Sequence, residues 1–163
     1  KIEKKIYRYG FSVYNLKESV NLMKKYNFDI LQVPINIFNH EFINQKFIKL
    51  IKTKKIELHV RSIFLQGIIF LSKITIRKKL NEIPIKIKIF LLDFETNNEK
   101  IFQCLNFIKQ LKFADKIIIG VSSKKELLQI IKIYNKKLKK INLAKKYKIL
   151  EKKFINPSMW PKK

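Results

Sequence analysis

Lys116-Ile117-Ile118-Ile119-Gly120-Val121-Ser122-Ser123-Lys124-Lys125-Glu126-Leu127 is the most telling stretch of this 163-residue chain. A run of apolar, mostly β-branched residues stops at Gly120, two hydroxyl residues follow, and Ser123 with Glu126 has the spacing of a helix-opening capping box. The reading is a buried strand over Lys116 to Val121, a turn, and a helix running from Ser123 to about Lys136. A strand that feeds a helix in this way leaves backbone N–H groups, the positive end of the helix dipole and two lysines around one point. That arrangement suits a phosphate.

Working outward, the same strand-to-helix pattern occurs three more times. Ile6 to Tyr14 alternates and stops at Asn15, which with Glu18 repeats the capping-box spacing; Leu16, Val20, Met23 and Lys24 continue at helical intervals to Tyr26. Asp29 to Ile35 is the next strand, closed by Pro34, and Phe42, Phe47, Ile48 and Ile51 form the apolar stripe of the helix after it. Ile56 to Ser62 is the third strand and leads into a Gln66-Gly67 turn. Ile68 to Phe113 reads as a loop-and-helix excursion broken at Pro84, ending in a helix from Glu99 to Leu111. A basic helical tail and the segment Asn156-Pro157-Ser158-Met159-Trp160-Pro161 close the chain.

Strands that alternate with helices imply right-handed crossovers and a parallel sheet. All three glycines, Gly10, Gly67 and Gly120, lie in or just beyond strand runs, so each is expected at a tight turn or a close backbone approach. A closed (β/α)8 barrel needs eight strands and roughly 250 residues. Four units in one domain spanning residues 1–163 therefore read as an α/β fold, half of such a barrel.

Composition narrows the function classes. A hydrophobic content of 47% supports a packed core and argues against wholesale disorder. The formal net charge of +25 invites a nucleic-acid reading, but of the 37 basic residues only Arg8, Arg61 and Arg77 are arginine, the side chain that reads base edges bidentately. The excess of Lys, Ile, Asn and Phe resembles drift towards AT-rich codons, and the lysines are spread along every segment with one denser run from Lys136 to Lys153. They are read as solvated helix faces, so no nucleic-acid partner is expected. Cys104 is the only cysteine and sits in a helical pattern, which suits a buried structural thiol and a cytoplasmic location. No apolar run approaches the ~20 residues that span a bilayer, and no membrane association is expected. With Lys1 at its start and no leader pattern, the chain reads as a processed or excerpted piece of something longer.

Ligands of parallel β/α folds sit at the carboxyl ends of the strands. Ser12 and Tyr14 fall there on the first strand, Gln32 and Asn36 on the second, Arg61 and Ser62 on the third, and Gly120, Ser122 and Ser123 on the fourth. Gln32 is the strongest single candidate, because a mid-strand amide with two donors and an acceptor suits a planar carboxamide. Alternation puts Glu57, His59 and Arg61 on one face of their strand. Two readings stay open: an internally satisfied polar network, or an Arg61 at the mouth that reaches an anion. His40 is read as structural, and two separated histidines with one cysteine give no metal site.

The series Gly10-Phe11-Ser12-Val13-Tyr14, Asp29 to Asn36, His59-Val60-Arg61-Ser62-Ile63-Phe64-Leu65-Gln66-Gly67 and Ile119 to Ser123 resembles, in order and spacing, the second half of aldo/keto reductases. The Arg-Ser-x-Phe-Leu-Gln-Gly stretch and the closing Asn-Pro-Ser-x-Trp look like a bacterial subgroup of that family. The resemblance implies the C-terminal half of a (β/α)8 TIM barrel, strands five to eight, and a nicotinamide cofactor. It places Ser12 and Gln32 on the nicotinamide carboxamide, with Val13 where the family usually has a helping Asn. Arg61 falls where a side chain packs on the nicotinamide ring. Ser62 and the Leu65 to Gly67 turn match the loop over the pyrophosphate, and Gly120, Ser122 and Ser123 match the site of the adenosine 2′-phosphate. Lys124 or Lys125 would stand in for the usual cationic partners, which favours NADP while leaving NAD open.

The family's catalytic Asp, Tyr, Lys and His lie in the first four units, which this chain lacks, so no catalytic residue is assigned. The resulting expectation is the cofactor-binding half of an NAD(P)H-dependent oxidoreductase that passes hydride to a small-molecule carbonyl substrate. It would need the missing N-terminal barrel half or a dimer partner. The alternative is a non-catalytic half-barrel that serves as a binding or structural module.

Overall fold

The computed structural model describes residues 5–138 and 145–161. Four parallel strands, β1 (Gly10–Ser12), β2 (Ile30–Pro34), β3 (Glu57–Arg61) and β4 (Lys116–Ile117), form one sheet in the order β1-β2-β3-β4. The connections carry α1 (Leu16–Lys25) and α2 (Gln45–Thr53), then α3 (Lys73–Leu80), α4 (Ile85–Asp93) and α5 (Asn97–Lys109) together between β3 and β4. After β4 come α6 (Lys124–Tyr134) and the short α7 (Lys152–Ile155). This is the parallel half-barrel expected from the alternation.

Alternation within the strands decides which face is dry. Leu31, Val33, Leu58 and Val60 are fully buried, whereas Gln32, Glu57, His59 and Arg61 on the other face keep partial exposure. Gly10 stands opposite Ile30, where a Cβ built on it would lie 1.8 Å from the Ile30 carbonyl oxygen; only a bare Cα permits the β1–β2 approach. Gly67 is required for a different reason, a left-handed φ of 73°. Gly120 has open space around its Cα, so neither packing nor turn geometry explains it.

The edge strands are shorter than the sequence pattern suggests. β4 was expected to run to Val121 but stops at Ile117, the partner of Val60. The Ile118 amide still reaches the Val60 carbonyl at 2.7 Å, but β3 then turns away at Ser62, whose φ is 59°. Ile119 to Val121 therefore have no ladder to join. β1 begins at Gly10 rather than Ile6, because the Tyr9 amide bonds the Asp29 carboxylate at 3.0 Å in place of a ladder partner.

Helix starts follow the caps, with one systematic difference. Asn15 accepts the Glu18 amide at 2.8 Å and Ser123 accepts the Glu126 amide at 3.2 Å. Neither glutamate bonds its own cap residue: Glu18 takes the Tyr14 amide at 3.1 Å, and Glu126 takes the Ser122 amide. The complete reciprocal box is Thr96 with Glu99, at the start of α5. In the excursion, Pro84 caps α4, whose Ile-Lys-Ile-Lys-Ile opening mimics a strand in sequence. Ile87 and Phe90, one turn apart, are its buried side chains.

The expected basic helical tail falls partly outside the described residues. Within them, residues 145–151 are turn and irregular backbone. Tyr147 packs its ring edge-on to Phe90 and donates its hydroxyl to Asp93, while the Ile149 amide bonds the Phe38 carbonyl at 2.9 Å. Trp160 closes the chain by donating Nε1 to the Phe154 carbonyl at 3.2 Å. Cys104 is buried in α5, and burial pushes its thiol well up from the ordinary range.

His40 is structural. Its Nε2 meets the Ile37 carbonyl at 3.0 Å and its ring stacks on Phe107 with centroids 5.0 Å apart. Burial lowers its pKa from 6.5 to about 4. The unfolded chain therefore takes up this proton before the folded one does, and stability falls as pH drops from about 6.5 towards 4. Glu57, held down to about 2 by bonds from His59, Arg8 and Lys116, acts in a separate window and withdraws its contribution only below about 4.5. Thermal melts from pH 7 to 4 should show a declining Tm for the parent chain and a flatter profile for His40→Phe; equal slopes would refute the assignment.

Candidate functional site

A cleft of about 280 Å³ opens at the carboxyl ends of β2, β3 and β4. Gln32, Arg61, Ser62, Phe64, Gly67 and Gly120 are among its walls, so five of the nine expected site residues meet there. Ser12 joins the group through its neighbour: its hydroxyl donates to Gln32 Oε1 at 3.2 Å. That bond fixes the amide orientation and leaves the two Gln32 N–H donors without a protein acceptor among the described residues. Ser12 and Gln32 thus form a hydrogen-bonded pair, with the Gln32 amide group turned by Ser12 and lining the cleft.

Arg61 is placed differently from the other polar side chains of its strand. Glu57 and His59 belong to an internal network: Glu57 Oε1 bonds His59 Nε2 at 2.7 Å and Lys116 Nζ at 3.0 Å, and Glu57 Oε2 pairs with Arg8. Arg61 stands apart from it, at the cleft. Its guanidinium lies 4.4 Å from the centroid of the Tyr14 ring, donates to the Val13 carbonyl at 3.1 Å and to Ser62 Oγ at 3.2 Å. Its Nε is buried with no partner. Tyr14 and the Val13 carbonyl were not foreseen as supports for Arg61, since cross-strand placement two strands away leaves no mark in the sequence.

The loop from Ser62 to Gly67 is held in an uncommon backbone conformation. Ser62, Leu65, Gln66 and Gly67 all have positive φ, at 59°, 46°, 55° and 73°. Three of these are not glycine, and strain of this kind concentrates where backbone geometry serves a ligand. Asn36 braces the loop: it is fully buried, donates Nδ2 to the Ser62 carbonyl at 3.1 Å, and accepts the Phe38 and Asn39 amides at 3.0 and 2.9 Å. Its place at the strand end suggests a mouth residue, but all of these bonds are internal, so it is a brace. Leu65 is also fully buried and does not line the cleft.

Ser122 and Ser123 do not line the cleft either. Ser122 donates its amide at 2.8 Å and its hydroxyl at 2.9 Å to Glu126 Oε2. These bonds hold the Glu126 carboxyl below its usual range. The free amides pictured for a phosphate at this helix start are therefore partly taken by a carboxylate of the helix itself. Among the described residues there is no group of His, Cys, Asp and Glu that could hold a metal, and no helix long and apolar enough to cross a membrane.

These features define the class: half of a parallel β/α barrel with a cleft at its strand ends. Two solved structures similar to it are forms of one aldo-keto reductase. Aldo-keto reductase AKR11C1 from Bacillus halodurans matches in its holo form with a TM-score of 0.67 at 13% sequence identity, over 90% of this chain and 50% of that one. Its apo form matches with the same TM-score and identity, over 51% of its length. The chain thus has the fold of half an aldo-keto reductase and spans about half the length of these structures. No protein-family model and no curated protein matches the sequence.

Proposed function

We propose that the chain is the cofactor-binding half of a nicotinamide-dependent oxidoreductase of the aldo/keto reductase type, read as one partial domain over residues 1–163. The observation that carries this reading is the convergence of Gln32, Arg61, Ser62, Gly67 and Gly120 on one cleft at the strand ends. The residues suit the group. Gln32 offers amide donors to a carboxamide, the Arg61 plane offers a stacking surface, and the Ser62–Gly67 backbone with Gly120 allows close approach by a pyrophosphate. At about 280 Å³ the cleft is just below the ~300–1,000 Å³ of small-ligand pockets, so it takes part of a dinucleotide. When bound, such a cofactor supplies hydride to a small-molecule carbonyl substrate. This chain's residues bind and orient it, and none is assigned to proton transfer. A cytoplasmic setting belongs to the same reading, since the lone Cys104 thiol is buried and unpaired.

The α6 start shifts the cofactor preference from the NADP suggested by the resemblance towards NAD. At the α6 start, where the resemblance implies a 2′-phosphate, the Glu126 carboxylate held by Ser122 would stand beside it, and like charges at hydrogen-bond range repel. A ribose 2′-hydroxyl would instead find an acceptor. Fluorescence titration of the chain with NADH and NADPH should show tighter binding of NADH, and Glu126→Gln should narrow the difference by about five- to tenfold. Binding of neither cofactor would remove the oxidoreductase reading and favour a non-catalytic module. Tighter binding of NADPH by the parent chain would remove only the Glu126 assignment.

A further inference from the structure

The connection between β3 and β4 carries a groove that shares no wall with the strand-end cleft. It holds about 610 Å³, within the ~300–1,000 Å³ of small-ligand pockets, and opens between α3 and α4. All its walls lie between Lys73 and Leu92, so neither edge strand of the sheet contributes to it. Helical spacing sets two kinds of side chain next to each other there. Lys73, Arg77 and Lys78 come from α3, the first two one turn apart, and Lys88 comes from α4. Ile74 and Leu92, 71% and 69% exposed, line the same space together with Ile83. Apolar side chains this open beside four cations make an amphipathic lining.

The four cations have no internal counter-ion. Glu82 is the one acid between Lys73 and Leu92, and it pairs with Lys153 at 2.9 Å. Asp93, the next acid along the chain, pairs with Lys146 at 2.6 Å. No described residue forms an ion pair with Lys73, Arg77, Lys78 or Lys88. The negative end of the α3 dipole accounts for Arg77 and Lys78 in the last turn. It does not account for Lys73, which stands in the first turn, where a cation is unfavourable.

We propose that the α3–α4 groove binds an amphiphilic phosphate monoester, with its head among the four cations and its alkyl tail on Ile74, Ile83 and Leu92. The head is a phosphate because a phosphate monoester carries about 1.5–2 negative charges near pH 7, against one for a carboxylate. Arg77 can also pair two of its oxygens at once. The volume is that of one small ligand, so the occupant is a single free molecule and not a bilayer surface. None of this depends on the cofactor reading.

Isothermal titration calorimetry of the chain with decyl phosphate, kept below its micelle concentration at about 0.15 M NaCl, tests the proposal where surface charge is largely screened. One molecule per chain should bind saturably. Inorganic phosphate, which lacks the tail, and decyl maltoside, which lacks the charge, should each bind at least about tenfold more weakly. Decanoate should also bind more weakly than decyl phosphate. Lys73→Gln with Lys88→Gln should weaken decyl phosphate binding by about tenfold or more, and so should Ile74→Gln with Leu92→Gln. Lys49→Gln with Lys52→Gln on α2 removes the same charge elsewhere and should leave the affinity unchanged. All six side chains are exposed, so the melting temperature should stay at the parent's value. Binding without saturation, or binding weakened equally by the α2 pair, would be an effect of the formal +25 alone and would overturn the proposal. So would affinity indifferent to both groove pairs, or equal affinity for any of the three comparison compounds. Sedimentation of the chain with phosphatidylglycerol vesicles, in the absence of decyl phosphate binding, would assign the patch to a membrane surface instead.

Discussion

Gly10→Ala should detach β1 and destabilise the chain by more than about 3 kcal/mol, a large share of the ~5–15 kcal/mol that holds a domain together. The added methyl would lie 1.8 Å from the Ile30 carbonyl oxygen. That obstacle is backbone, so no rotamer change relieves it; β1 must move off β2. Three register pairs, Gly10 with Ile30, Phe11 with Leu31 and Ser12 with Gln32, would be lost together. Phe11, which packs edge-on to Phe28 at 5.0 Å, would go with them. Urea denaturation followed by circular dichroism measures the effect. Gly120→Ala, with nothing near its Cα, is the matched control and should stay within about 0.5 kcal/mol of the parent. A Gly10→Ala midpoint equal to the parent's would mean that β1 does not pair as described.

Gln32→Ala should weaken nicotinamide cofactor binding by about 1–3 kcal/mol, or roughly 5- to 150-fold in Kd. The substitution removes the amide proposed to meet the carboxamide and strands the Ser12 hydroxyl that bonds it. Ser12→Ala should do less, because Gln32 remains and loses only its positioning bond. Gln32 lies on the partly exposed face of the sheet and packs no core, so the melting temperature should barely change. That separates a binding role from a structural one. Unchanged affinity in Gln32→Ala would count directly against the proposed cofactor site.

Local chemistry was legible wherever neighbours along the chain supplied it. The caps at Asn15 and Ser123 follow from side chains three residues from their acceptor amides. The buried faces of β2 and β3 follow from period-two alternation, and their order from the repeated β/α pattern. Thr96 with Glu99 carried the same signal and could have been read from it. Element ends were less legible, because a strand extends only as far as its partner does. β4 is cut short by the turn of β3 at Ser62, 55 residues earlier in the chain.

The sequence alone determined a parallel β/α half-barrel, the order of its strands, and the polar side chains that could meet a ligand near their carboxyl ends, because all of these rest on periodicity and short-range hydrogen bonding. Tertiary structure decided which of those side chains are free to act. Asn36 is consumed as a brace, Ser122 is occupied by Glu126, Arg61 is held by the Val13 carbonyl, and Ser12 is turned to Gln32. Each of these outcomes depends on which polar partner comes within about 3 Å once the chain is folded, and at that range a neighbouring side chain displaces water before any ligand can.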